Sequence, residues 1–112
     1  MEEDRELWMH KIRSLADPIR RAEYEILKCE AEEKKLLAKL KLLALSEGNK
    51  TIGSQEIFAE NNPELYKIRL QKAVNKSDLA GKKVELKALE IGFEEWRTKM
   101  VNAREEQKRY GA

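Results

Sequence analysis

Cysteine occurs once in this chain, at Cys29, so no intrachain disulfide can form. Histidine also occurs once, at His10. Together they cannot supply the roughly four ligands of a zinc site. Nor can they supply a nucleophile–base–orienter set. Two prolines, five glycines and 6% aromatics suit neither a turn-rich sandwich nor a compact α/β enzyme. An enzyme is not expected, and no cofactor or metal is. No apolar run approaches the roughly 18 residues of a membrane span. The opening Met1-Glu2-Glu3-Asp4-Arg5-Glu6 is acidic where a secretory leader would be basic and then apolar. The sequons at Asn49 and Asn75 therefore read as chance, and a soluble cytoplasmic protein is expected.

What the chain has is charge, 39% of its 112 residues. That length bounds it to one domain, residues 1–112. Apolar residues recur at helical spacing, which sets it apart from disordered chains of similar charge. The charge is unevenly placed. Residues 34–53 hold five lysines, Lys34, Lys35, Lys39, Lys41 and Lys50, against Glu47 alone, a net of +4. Residues 67–87 hold seven cations, among them Lys67, Arg69, Lys72 and Lys76, against two acids, a net of +5. The first 33 residues carry six basic and ten acidic groups, a net of −4. A whole-chain value of +2 thus conceals a dipolar molecule.

The pattern predicts an all-α fold. A short helix over 3–16 would place Leu7, Trp8, Ile12 and Leu15 on one side. Asp17-Pro18 gives an N-cap and a first-turn proline, opening a helix over 18–46. Along it Ile19, Ala22, Ile26, Cys29, Glu33, Leu36, Leu40 and Leu43 alternate spacings of three and four. That is a coiled-coil-like seam with Glu33 as its polar interruption. Residues 47–53 are turn chemistry. Ser54 is the expected cap of a short helix over 54–61, and Asn62-Pro63 repeats the start signal for a long helix over 63–109.

On that last helix Leu65, Lys72, Leu79, Leu86, Phe93 and Met100 recur every seven residues, beside Ile68, Asn75, Lys82, Leu89, Trp96 and Ala103. A second stripe runs through Tyr66, Leu70, Ala73, Ser77, Ala80, Val84, Ala88 and Ile91. Gly81 and Gly92 interrupt the helix at about 1 kcal/mol each, offset by a close helix neighbour or marking a kink. The two main helices should form a hairpin, roughly 43 Å against 70 Å. The short N-terminal helix or a second subunit would cover the remainder. A homo-oligomer is expected, with Leu79, Leu86, Leu89, Phe93, Trp96 and Met100 at the interface.

Such a hairpin would gather both lysine-rich stretches at its loop end, a surface suited to phosphate. Lys35 and Lys39 are four apart, Lys34 and Lys41 seven apart, and Lys50 extends the surface into the loop. The set expected to bind nucleic acid is Lys34, Lys35, Lys39, Lys41, Lys50, Lys67, Arg69, Lys72 and Lys76. The competing reading is that these lysines are solvated or paired with neighbouring glutamates. Tyr66 can stack on a base or belong to the second stripe. Gly48-Asn49-Lys50-Thr51 lacks the glycine before lysine and the preceding strand of a phosphate loop. The glutamate pairs at 32/33, 94/95 and 105/106 read as solvated helix faces.

This layout resembles the phage recombination mediators typified by UvsY. The residues that carry the resemblance are Lys39-Leu40-Lys41 before a glycine-containing loop, with Lys41 where the family has Arg, and Ser54-Gln55-Glu56-Ile57 after it. Phe93-Glu94-Glu95-Trp96-Arg97-Thr98 and Asn102-Ala103-Arg104-Glu105 are similar to the endings of small phage proteins of unassigned role. The resemblance implies a ring-forming oligomer that binds single-stranded DNA in the cytoplasm of a bacterial host. It would help load a recombinase onto strands covered by single-strand binding protein. The alternative is a helical scaffold or adaptor with no nucleic-acid role.

Overall fold

A computed structural model of the chain describes residues 2–110. Four helices follow in order: α1 (Glu2–Arg13), α2 (Ala16–Ser46), α3 (Ile52–Glu60) and α4 (Pro63–Tyr110). No strand occurs among the described residues. The chain divides into two compact units, Arg20–Leu79 and the pair Met1–Ile19 with Ala80–Ala112. Among the described residues no helix is long and apolar enough to cross a membrane.

Three boundaries differ from expectation by two residues or more, each for a local reason. Helix α1 stops at Arg13, where Ser14 turns its hydroxyl back to the Lys11 carbonyl. Leu15 falls in the turn, and its carbonyl accepts from Ile19 N–H, so α2 starts at Ala16. Pro18 is therefore the third helical residue, still within the turn whose N–H groups lack helical partners. Asp17 sits in that first turn rather than at the cap, where its charge favours the helix N-terminus. Helix α3 starts at Ile52 because Thr51 takes the capping role expected of Ser54. The Thr51 hydroxyl oxygen accepts from Ser54 N–H at 3.1 Å. Asn62 caps α4 as expected, its side-chain oxygen accepting from Glu64 and Leu65 N–H.

The exit from α2 depends on one glycine. Gly48 has φ of +97°, a conformation that side chains with a Cβ disfavour. Asn49 N–H bonds to the Ala44 carbonyl and Gly48 N–H to that of Leu45, the paired bonds of a Schellman ending. Gln55 then reaches back to the Asn49 carbonyl at 3.0 Å, tying the loop to α3.

Within Arg20–Leu79 the two long helices run antiparallel. Glu33 meets Lys72, and Cys29 lies 3.7 Å from the Asn75 amide that donates to it. Toward the loop, Leu40, Leu65 and Ala59 form the buried core, with Leu36, Leu37 and Phe58 packed around them. Leu65 is the largest side chain fully buried. The seam departs from expectation here. Ala44 is wholly buried while Leu43 is about half exposed, because the buried line follows Leu37, Leu40 and Ala44.

The other unit carries the N-terminal helix. Trp8 lies on α4 at Gly92, where a Cβ would come within 2.8 Å of the indole ring. Close approach, not a kink, explains this glycine. Gly81 has nothing within 4 Å of the same position, and α4 runs unbroken through both. Phe93 and Trp96 stack at 5.9 Å between ring centres. They share a shallow depression with Met100 and Arg5. Leu7, expected on the packed side, is half exposed, whereas Met9 is partly buried.

Candidate nucleic-acid interface

Helix periodicity decides which cations are available. With about 100° between successive residues, the α2 seam positions Cys29, Glu33, Leu36 and Leu40 cluster on one side of the cylinder. Lys34, Lys35, Lys39 and Lys41 then fan across an arc of roughly 160° centred opposite that seam. All four are exposed. No acidic residue occurs between positions 34 and 46, so this face carries one sign of charge. Lys50 is exposed in the loop, and Lys67 and Lys76 are exposed on α4. None of these seven lysines forms an ion pair with a described carboxylate.

Arg69 and Lys72 behave differently. Lys72 donates to both oxygens of Glu33, at 3.1 and 3.2 Å. Arg69 places Nε 3.4 Å from the same carboxylate and pairs through Nη1 with Glu60 of α3. Glu33, only 18% exposed, is thus the centre of a four-residue network linking α2, α3 and α4. The hydrogen bond with Glu60 raises the Arg69 pKa most; burial opposes it, and the charges of Glu60 and Glu33 add to it. A cation raised in this way contributes stability that is lost only as pH climbs past its own high value, so the pairing persists around neutrality. These two residues therefore hold the hairpin, and of the nine cations expected to bind nucleic acid the other seven are exposed and outside this network.

The network was within reach of the sequence. Glu33 interrupts the α2 seam, and Lys72 and Asn75 interrupt the α4 seam. Opposite charges at seam positions of two antiparallel helices are natural partners. What the sequence does not state is the register that makes Glu33 meet Lys72.

The residues expected at an oligomer interface, Leu79, Leu86, Leu89, Phe93, Trp96 and Met100, are all partly buried within the chain itself. The second α4 stripe is exposed throughout, Tyr66 and Val84 most of all. A surface concavity along α4 is lined by Lys87 and Lys99 but also by Glu90, Glu94 and Glu95, which makes it a poor seat for a polyanion. His10 is exposed near the end of α1, and Cys29 is a buried free thiol. Among the described residues no three His, Cys, Asp or Glu side chains come together as a metal site. Comparison with protein-family models, curated proteins and solved structures finds no match to this chain.

Proposed function

We propose that this chain is a sequence-nonspecific single-stranded DNA-binding protein that works as a homo-oligomer. The observation that carries the reading is the acid-free stretch of α2 from 34 to 46, whose outer side holds Lys34, Lys35, Lys39 and Lys41 exposed and without an ion pair within the chain. Each phosphate neutralised by such a lysine releases condensed counterions, so affinity comes from charge and not from base identity. Lys50 and Lys67 extend the cationic surface near the loop, and exposed Tyr66 beside Lys67 offers a ring for stacking on a base. Repeated copies along one strand would multiply weak single contacts by avidity. The role suggested by the resemblance to phage recombination mediators, delivery of a recombinase to covered strands, fits a protein that binds strands without reading them.

A second reading, a helical scaffold or adaptor, draws on the large apolar side chains left exposed on α2. Fluorescence anisotropy of a labelled single-stranded oligonucleotide separates the two. Strand binding that ignores sequence, weakens with salt and falls in a Lys39→Ala/Lys41→Ala variant is the expected result. No binding even at low salt would leave only the scaffold.

A further inference from the structure

The lysines on the outer face of α2 border an apolar ridge that nothing within Arg20–Leu79 covers. Tyr24, Leu27, Leu42 and Leu45 are 60%, 64%, 70% and 52% exposed, and Ala31 and Ala38 between them are exposed too. At about 100° per residue these six side chains fall within a band roughly 60° wide. A ridge of this width on a helix whose opposite side is already packed is a second seam.

Its spacing is palindromic. Reversed about the midpoint between Lys34 and Lys35, Tyr24 falls level with Leu45, Leu27 with Leu42, and Ala31 with Ala38. Charge follows the same reversal. Residues 20–33 hold three basic and five acidic groups, a net of −2, while residues 34–46 hold four lysines and no acid. A parallel pair would set like charge against like. An antiparallel pair sets the acidic half of each helix against the basic half of the other.

On one edge of the ridge Glu32 then lies beside Lys39 of the second copy. On the other edge Glu30 lies beside Lys41 of the second copy. Both pairs are within about 3 Å of level along the axis. From this symmetry of shape and charge we infer that a second copy of this chain docks antiparallel on the outer face of α2, along Tyr24, Leu27, Ala31, Ala38, Leu42 and Leu45.

The two-fold axis gathers Lys34 and Lys35 of both copies. Four ammonium groups around one axis repel, and a polyanion laid across them removes the repulsion. Through these four lysines pairing and strand binding are linked, each strengthening the other. Lys39 and Lys41 sit at the rim of the seam, where a phosphate competes with Glu32 and Glu30 of the second copy. The pairing stands apart from the nucleic-acid reading, and only this linkage rests on it.

Sedimentation velocity of the full chain without nucleic acid tests the pairing. The unmodified chain should sediment as a dimer. A Leu27→Glu/Leu42→Glu variant should sediment at half that mass with its far-ultraviolet circular dichroism unchanged, since both side chains are exposed. A monomer for the unmodified chain at every concentration, or an unaltered dimer for the variant, would overturn it. Orientation is read by disulfide capture in a Cys29→Ala background. Ala31→Cys chains mixed with Ala38→Cys chains should cross-link, whereas Ala31→Cys alone should not, its two copies lying roughly 10 Å apart. Cross-linking of Ala31→Cys alone would mean a parallel pair and contradict the proposal.

For the linkage, Lys34→Ala/Lys35→Ala should dimerise roughly three-fold more tightly without DNA and lose any further gain from oligodeoxythymidine. A dimer that oligodeoxythymidine leaves unchanged in the unmodified chain would defeat the linkage and the DNA reading while the pairing stood.

Discussion

Two pairs of cations, equal in charge and both beside Glu33, one in sequence and one in space, meet opposite fates in this molecule. Arg69 and Lys72 on α4 turn toward α2 and close on Glu33, in surroundings where their charge is partnered. Lys34 and Lys35, the two residues after Glu33, point away into solvent and pair with nothing described. A rotation of one or two helical positions separates a structural ion pair from an exposed lysine. Composition alone cannot distinguish them; periodicity together with the hairpin register can.

Both sets depend on the core beneath them, so damage there should have the largest effect. Leu65 closes the hairpin against Leu40 and Ala59. Leu65→Ala should cost about 2–5 kcal/mol, read by urea unfolding, because its side chain is fully buried. The inner ion pairs and strand binding by the outer lysines should then fail together, since the scaffold that separates them no longer holds.

Glu33→Ala is the more selective cut. It leaves two partly buried cations without their shared carboxylate, and unfolding should become easier by about 1–3 kcal/mol. Lys39→Ala, on the outer face, should stay within roughly 0.5 kcal/mol of the parent. Equal costs for the two would erase the distinction between inner and outer charge.

The two glycines of α4 offer a smaller contrast of the same kind. Gly81→Ala should stabilise by up to about 1 kcal/mol through helix propensity, since open space surrounds that position. Gly92→Ala must displace the Trp8 ring, so the gain should vanish or reverse, and tryptophan fluorescence should report the movement. Equal gains at both sites, with no spectral change, would remove Trp8 as the reason for Gly92.

Much of this was legible in the residues. The cap and proline at Asn62-Pro63, the seven-residue repeat on α4 and the polar break at Glu33 all mark real features. In the described chain the partly buried positions of α4 from Ile68 to Met100 follow that repeat closely. Less legible were effects that depend on a third element. Helix α3 has little amphipathic pattern of its own, yet it brings Ala59 and Phe58 against Leu40 and Leu65 and supplies Glu60 to Arg69. Thr51 displaced Ser54 as a cap because both residue types serve, and the choice rests on where the loop arrives. The lysine surface was visible as a regional excess of charge. Its division into seven exposed lysines and two paired cations needed the hairpin register, which no single helix encodes.

The smallest structural effect should accompany the largest functional one. Replacing Lys34, Lys35, Lys39 and Lys41 by Ala removes no buried side chain, so the thermal midpoint should hardly move. The measurement that bears most directly on the role of the outer face is the salt dependence of single-strand affinity for this variant beside the unmodified chain. If the four lysines neutralise phosphates, the slope of log affinity against log salt should become shallower by roughly 0.7 for each phosphate left without its lysine, with affinity reduced alike for every sequence. An unchanged slope and affinity would show that the outer face of α2 does not carry the strand.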